Sequence, residues 1–432
     1  MKILIAIIVF SLIIIVHELG HFILAKKNGV YVTEFSIGMG PRIVSTVKGE
    51  TRYSIKLLPF GGSCMMLGED EDVADDERAF GKKGVWARIS IIAAGPIFNF
   101  ILAFVISLFV VGMVGYDPAI VNSVAVDSPA SEAGLQAGDI ITRIDGHKVD
   151  VSRDIQMYLQ LNPLNGEKFE IEYKRDGKKY KTELAAEVVD KYMLGFTYSA
   201  GEVAPTVVSL TEGYPLYNAG IQLGDIITSI NGTKVVTSSE LSDYISAHPL
   251  TSEPVTLTYE RDGENYEVTA TPEFVNSGYS LGMSVNEGYE KTNVWGVIKY
   301  SAVEVKFWIK NTIQSIGQLI RGKVSTDDIA GPVGLVNVIG DAYETSSQYG
   351  LKSVLLTIAS WVILISANLG VMNLLPIPAL DGGRLVFLFL EVIRGGKQIP
   401  REKEGMIHMI GLVALMVLMV FVMFNDISNL FH

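Results

Sequence analysis

The sequence predicts an α-helical polytopic membrane protein with four transmembrane helices and a duplicated α+β region outside the bilayer. Three observations carry this. Four long apolar stretches punctuate the 432 residues, a repeat fills the middle, and Lys and Arg gather in two of the connecting loops. A bilayer core of about 30 Å takes about 20 apolar residues of helix. The stretches at about 3–25, 89–115, 354–375 and 406–424 reach that length with few charges.

The first span holds the most specific pattern, His17-Glu18-Leu19-Gly20-His21. On a helix, H-E-x-x-H sets two imidazoles one turn apart on one face, with a carboxylate beside them. Those are two zinc ligands and the general base of a hydrolytic metal site. The chain has only six His, which argues against coincidence. An Asp, Lys or Arg at a span's centre costs about 2.5–3.5 kcal/mol, so intramembrane ionisable groups mark function. A cleaved signal peptide fits less well, because the run is too long for its apolar core and no small-residue cleavage site closes it.

Composition removes other classes. A net charge of −12 and the lack of a basic stripe speak against nucleic acid. The single cysteine, Cys64, excludes an internal disulfide framework. Lys26, Lys27, Arg42, Lys48, Arg52, Lys56, Arg78, Lys82, Lys83 and Arg88 fall between the first two spans. Arg384, Arg394, Lys397, Arg401 and Lys403 fall between the last two. The positive-inside rule then expects both loops in the cytoplasm, and both termini and the middle region outside. It ignores acids, such as the run Glu69–Glu77. His17 and His21 come to lie toward the cytoplasmic end of their span.

Residues 117–290 contain the repeat. Ala133-Gly134-Leu135-Gln136-Ala137-Gly138-Asp139-Ile140-Ile141-Thr142 recurs as Ala219-Gly220-Ile221-Gln222-Leu223-Gly224-Asp225-Ile226-Ile227-Thr228. Short β-branched strands, Asp-Gly and Asn-Gly turns and one helix per copy read as two α+β units. With Ser128-Pro129-Ala130 in the first copy and Tyr214-Pro215 in the second, they resemble PDZ domains of the circularly permuted order. PDZ domains hold peptide ends by strand addition and a carboxylate-binding loop. The candidate loop is Leu194-Gly195-Phe196 for the second unit, and lies near Gly115-Tyr116 for the first. The same glycines would equally serve a pair that only excludes bulky proteins.

Catalytic zinc usually has three protein ligands and a water, so a third ligand is required. Asp381 is the best candidate, in Asn373-Leu374-Leu375-Pro376-Ile377-Pro378-Ala379-Leu380-Asp381-Gly382. Pro376 and Pro378 break the third span near the depth inferred for the histidines. Irregular backbone at that depth must be buried in protein or line a wet cavity. On spacing alone, Asp381 could instead cap the next helix, and Asn373 could serve the broken backbone.

Taken together, the chain resembles the bacterial site-2 proteases, the intramembrane zinc metalloproteases, in their RseP/RasP-like branch with tandem PDZ domains. The residues that carry the resemblance are His17–His21, Ala94-Gly95-Pro96-Ile97-Phe98-Asn99-Phe100, the two PDZ-like units, Gly331-Pro332-Val333-Gly334 and Asn373 with Asp381-Gly382. The resemblance implies one zinc per chain on His17, His21 and Asp381, with Glu18 as base. It implies that Asn373 meets the substrate backbone or the oxyanion, and that Asn99 is a supporting residue. It also implies a membrane-associated cytoplasmic β-hairpin over about 30–68, whose Gly61, Gly62, Ser63, Cys64 and Met65 pair with an unwound substrate. The family's usual Gly-Gly-Tyr-Val-Lys-Met is here Gly61-Gly62-Ser63-Cys64-Met65-Met66, which changes the side chains offered.

The expected layout is membrane core at 1–116 and 351–432, PDZ-like units at 117–198 and 199–290, and a connecting segment at 291–350. Within it, Val294–Gly322 is amphipathic. That suits the outer membrane interface, or a helix packed under the PDZ pair. The implied function is proteolysis of single-span membrane proteins, such as anti-sigma factor or signal-peptide remnants, in the bacterial cytoplasmic (inner) membrane. The PDZ pair would act as size filter or peptide sensor. The competing reading is a non-catalytic membrane PDZ adaptor with a structural metal. Such metals are usually closed by four protein ligands, and the sequence offers three and a carboxylate.

Overall fold

A computed structural model describes residues 2–69, 76–199, 201, 203–286, 288–322 and 331–429. Most of the acidic run Glu69–Glu77 therefore lies outside the described residues. The chain divides into a helical unit, Met1–Tyr116 with Lys291–His432, and a repeat unit, Asp117–Glu290.

The helical unit opens with α1 (Lys2–Lys27), strands β1 (Val32–Lys48) and β2 (Thr51–Met66), and α2 (Val85–Val114). Both strands bend. Residues 34–37 pair with 62–65 on one side and with 52–55 on the other, and 42–48 pair with 51–56. Among the described residues, Gly62–Met66 is thus an outer ribbon paired along one edge. Helix α1 meets α2 at Gly20, where a Cβ would lie 2.5 Å from the Ala94 carbonyl oxygen.

The repeat unit runs β3 (Val121–Val124), α3 (Pro129–Glu132), β4 (Ile140–Ile144), β5 (His147–Lys148), α4 (Ser152–Leu161), β6 (Lys168–Arg175), β7 (Lys178–Ala185) and β8 (Glu187–Met193). The second copy follows with β9 (Phe196–Tyr198), β10 (Val207–Leu210), α5 (Pro215–Asn218), β11 (Ile226–Ile230), β12 (Thr233–Lys234), α6 (Ser238–Ala247), β13 (Val255–Arg261) and β14 (Glu264–Ala270). Strands β15 (Glu273–Ser280) and β16 (Met283–Val285) close the unit. The four-stranded sheets have matching orders, β5-β4-β6-β7 and β12-β11-β13-β14.

The copies are nested, not in line. Strand β16 returns to pair with β3, and Leu281 is buried in the first core with Ile141, Ile144 and Ile171. The second core is built from one continuous stretch, Leu194 to Ala270. Between them, β8 and β15 form an exposed antiparallel ribbon that carries the chain in and out. The expected boundary at 198/199 therefore moves. Leu194-Gly195-Phe196 belongs to the inner copy, and the outer copy's matching loop is Leu281-Gly282-Met283 instead of a site near Gly115-Tyr116. The backbone supports the match: Leu216 N–H donates to Leu194 O at 3.1 Å and Ala130 N–H to Leu281 O at 3.0 Å. Gly195 and Gly282 both have positive φ, +80° and +67°.

The helical unit resumes with α7 (Val294–Ile320), α8 (Pro332–Ser347), α9 (Leu351–Leu374), α10 (Asp381–Ile393) and α11 (Arg401–Asn429). Helices Lys2–Lys27, Val85–Val114, Leu351–Leu374 and Glu402–Asp426 are long and apolar enough to cross a membrane. Most of the amphipathic segment Val294–Gly322 forms α7. Its stripe of Val305, Trp308 and Ile309 packs with Ala103 of α2 and Ile363 and Ala367 of α9. The Thr312 hydroxyl bonds to the Trp308 carbonyl at 2.7 Å and also to Asn368. Residues 331–334 gain a reason as well: the buried Asp426 carboxylate of α11 accepts from Gly331 N–H and Gly334 N–H, both at 2.8 Å, at the start of α8. A carboxylate suits the positive end of a helix.

Candidate metal centre

Three ligand atoms converge where α1, α2 and the start of α10 meet. His17 Nε2 lies 3.2 Å from His21 Nε2 and 3.1 Å from Asp381 Oδ2, and His21 Nε2 lies 3.5 Å from that oxygen. Zinc with ligands at about 2.0–2.1 Å in a tetrahedron separates its donors by roughly 3.3 Å. The observed triangle matches that spacing, and both histidines are buried.

The hydrogen bonds say why a cation fits. His21 Nδ1 lies 2.9 Å from the Ile91 carbonyl oxygen. A carbonyl only accepts, so Nδ1 carries the hydrogen, and whenever the ring is neutral its Nε2 lone pair points inward. That lone pair meets a carboxylate oxygen, and two acceptors at such a distance call for a positive charge between them. On His17, Nδ1 lies 3.2 Å from the Asn99 side-chain amide nitrogen, while Asn99 Oδ1 is buried and bonds to nothing. Turning that amide over brings Oδ1 to Nδ1–H and gives His17 the same inward lone pair as His21.

Helix α2 is shaped for this contact. Pro96 gives no N–H to the helix, so the Ile92 carbonyl one turn earlier lacks its usual donor. Gly95 leaves room for the rings, since a Cβ there would stand 2.4 Å from His21 Nε2 and 2.7 Å from His17 Cε1. Asp381 is delivered by α10, whose first turn is tight because Gly382 and Gly383 press on the carbonyls of Leu375 and Ile377. Arg88 of α2 fastens α10 from its other end: both partners are buried, and Arg88 Nη2 donates to Glu391 Oε1 at 2.5 Å.

A cavity of about 460 Å³ opens onto the centre, lined by His17, Glu18, His21, Asp381 and the ribbon from Gly62 to Glu69. Glu18 faces that ribbon, and a Cβ on Gly62 would lie 3.2 Å from Glu18 Cγ. Gly62, Ser63, Cys64 and Met65 therefore border the cavity, whereas Gly61, with φ +86°, does not. Burial pushes the Cys64 thiol far above its usual range, which leaves it an inert apolar filler. Arg384 of α10 pairs with Glu69 at the rim. Asn373 is half-buried in the last turn of α9 and is not among the lining residues. Leu194 and Gly195 form a loop of the inner repeat that leads into Phe196 at the start of β9, with Leu194 buried in that repeat's core.

Sequence reasoning assigns no role to Gly95, the Ile91 carbonyl or the Arg88–Glu391 pair. The Gly-Pro inside a span was the available signal for the first two, and charges at the edges of apolar runs for the third.

The model of peptidase family M50 matches residues 5–418. This chain belongs to peptidase family M50. The M50 relatives include a zinc metalloprotease RasP of Geobacillus kaustophilus, 33% identical over 98% of this chain and 97% of that protein. The regulator of sigma-W protease RasP of Bacillus subtilis is 30% identical, over 98% of both chains. A putative zinc metalloprotease of Clostridium acetobutylicum is 32% identical, over 99% of this chain and 97% of that one. As an M50 member it is a zinc metalloprotease and a membrane protein. The donor set described above suits that metal.

Proposed function

We propose that this M50 protease cleaves single-span membrane proteins within or near their transmembrane segment, using one zinc ion per chain on His17, His21 and Asp381. The carrying observation is the triangle of three donor atoms with Glu18 beside it at the floor of an open cavity. Zinc at such a site lowers the pKa of a water toward about 7 and polarises a carbonyl.

The chain's own residues supply the rest. Glu18 takes the proton of the attacking water and passes it to the leaving amine, a role worth about 10²–10⁴ in rate. The edge of Gly62–Met66 that pairs with no strand among the described residues holds the unwound substrate as an added strand above Glu18. Extension is required because a helical peptide bond is hydrogen-bonded and shielded by its own side chains. Asn99 and the Ile91 carbonyl orient the imidazoles. Asn373, half-buried in the last turn of α9, would meet the substrate backbone or the oxyanion.

The Lys and Arg distribution supports an orientation in the bacterial cytoplasmic membrane with the site toward the cytoplasm, and with the termini and repeats outside. There the repeats screen substrates, excluding bulky external domains or sampling peptide ends. Remnants of anti-sigma factors or of signal peptides are the expected substrate class. The test compares native membranes carrying wild type or Glu18→Gln by proteomics. Single-span fragments should accumulate with Glu18→Gln, while the purified variant keeps its zinc. Substantial turnover by purified Glu18→Gln would overturn the assignment.

A further inference from the structure

The segment that delivers Asp381 contains a turn with an unexpected residue. Leu380 N–H donates to the Ile377 carbonyl at 3.2 Å, Pro378 fills the second position, and Ala379 at the third has φ +81°. Those are the marks of a type II β-turn, whose third position favours glycine. Alanine accepts that conformation only when its surroundings hold it there. Rotating the Pro378–Ala379 peptide would give the ordinary type I turn, with Ala379 at negative φ. In the type II form, the Ala379 N–H points away from the turn and needs a partner outside it.

That partner is His408 of α11. Ala379 N–H donates to His408 Nδ1 at 2.9 Å. Nδ1 is therefore an acceptor, the ring is neutral, and the hydrogen sits on Nε2, which faces Glu404 Oε1 at 3.9 Å one turn earlier. The approach is built in. Three residues beyond His408, on the same face of α11, Gly411 lies against Pro378, and a Cβ there would be 2.5 Å from the Pro378 carbonyl oxygen. Phe387 of α10 meets the ring, with centroids 5.5 Å apart. Two residues past Ala379, Asp381 reaches both imidazoles.

We propose that His408 is a positioning residue for the metal centre: by accepting the Ala379 N–H it keeps the Pro378–Ala379 peptide in the type II orientation and so sets Asp381 against His17 and His21. The inference rests on the reading of Asp381 as a ligand. It gives α11, which supplies none of the three ligands, a part in the centre's geometry.

The test uses the full-length protein in detergent, with zinc affinity measured by chelator competition and the visible spectrum of the cobalt-loaded form as readouts. His408→Asn puts an amide oxygen near the Nδ1 position. His408→Leu removes the acceptor, and His408→Gln carries its oxygen too far. Leu and Gln should weaken zinc binding about 10–100-fold, as lost support of a ligand does, and shift the cobalt bands. Asn should stay near wild type. Adding Ala379→Gly to His408→Leu should recover part of the affinity, because glycine holds φ +81° unaided. A well-folded His408→Leu with wild-type zinc affinity and spectrum overturns the proposal. Should that variant fail to fold, equal zinc affinity of the Asn and Gln variants overturns it. Asp381→Ala separates the two readings. If it leaves zinc affinity intact, the ligand assignment fails first; if it abolishes binding while His408→Leu does not, only the role of His408 fails.

Discussion

In the repeat unit, Asp139 is gripped by the Arg175 guanidinium and Asp225 by that of Arg261, all at 2.6–2.7 Å. Each also accepts one backbone N–H, from Gln136 or Gln222. In the helical unit, Asp381 faces two imidazole nitrogens instead. Among the described residues, the remaining carboxylates classed as buried side with the repeat unit: Glu34, Asp117 and Glu391 meet Arg42, Arg153 and Arg88, and Asp154 and Asp426 meet backbone N–H groups. A carboxylate answered by a fixed guanidinium or N–H is finished as architecture. One answered by imidazoles joins a set of donors that suits a metal, and that difference separates a metal corner from a structural lock.

The sharpest way to break the contrast is to neutralise one carboxylate of each kind. Asp381→Asn should abolish zinc binding and proteolysis and leave the melting temperature of the metal-free protein nearly unchanged. Asp139→Asn should do the reverse, lowering thermal stability with zinc affinity intact. Metal analysis and thermal melts of both variants decide it, and a swap of the two outcomes would dissolve the distinction. Gly95→Ala comes next: its methyl group would enter the space of both rings, and overpacking of that kind costs about 1–3 kcal/mol. Zinc occupancy should collapse although no ligand has changed.

A third comparison is internal to the helical unit. Arg88→Leu leaves the Glu391 carboxylate buried and alone, which costs about 3–5 kcal/mol, whereas removing both charges together is near neutral. Denaturation of Arg88→Leu and of Arg88→Leu with Glu391→Leu should therefore differ widely. The smallest effect belongs to Glu34, held down to about 2 chiefly by the Arg42 guanidinium. Because the folded value is depressed, its contribution is fully present above the ordinary carboxylate value of about 4.3. It is lost as pH falls toward 2. Hairpin protection against hydrogen exchange should be flat from pH 5 to 8 and decline only below, and Arg42→Ala should remove that decline.

Much of this was legible in advance because it depends on local pattern. H-E-x-x-H fixes its own geometry on any helix, and apolar length announces the spans, so His17, Glu18, His21 and the four helices follow directly. Asp381 was legible as a candidate through the broken span before it. The nesting of the repeats was not, because β16 resembles any short strand, and only its pairing with β3, some 160 residues earlier, shows which core it completes. Asn373 was placed by analogy and lies off the cavity. Gly95 and His408 act through contacts between distant segments, and neither side's sequence shows that contact alone.

The nested repeats also impose an order of assembly. The inner copy is one continuous stretch, so its core can close as soon as Ala270 has left the ribosome. The outer copy is made first and finishes last, because β3 waits without its neighbour until Leu281–Val285 arrive. Non-local pairing of this kind is slow and leaves an edge exposed meanwhile. A chain stopped after residue 280 should hold a folded inner copy beside an outer one that proteases cut, and release of the next few residues is what seals it.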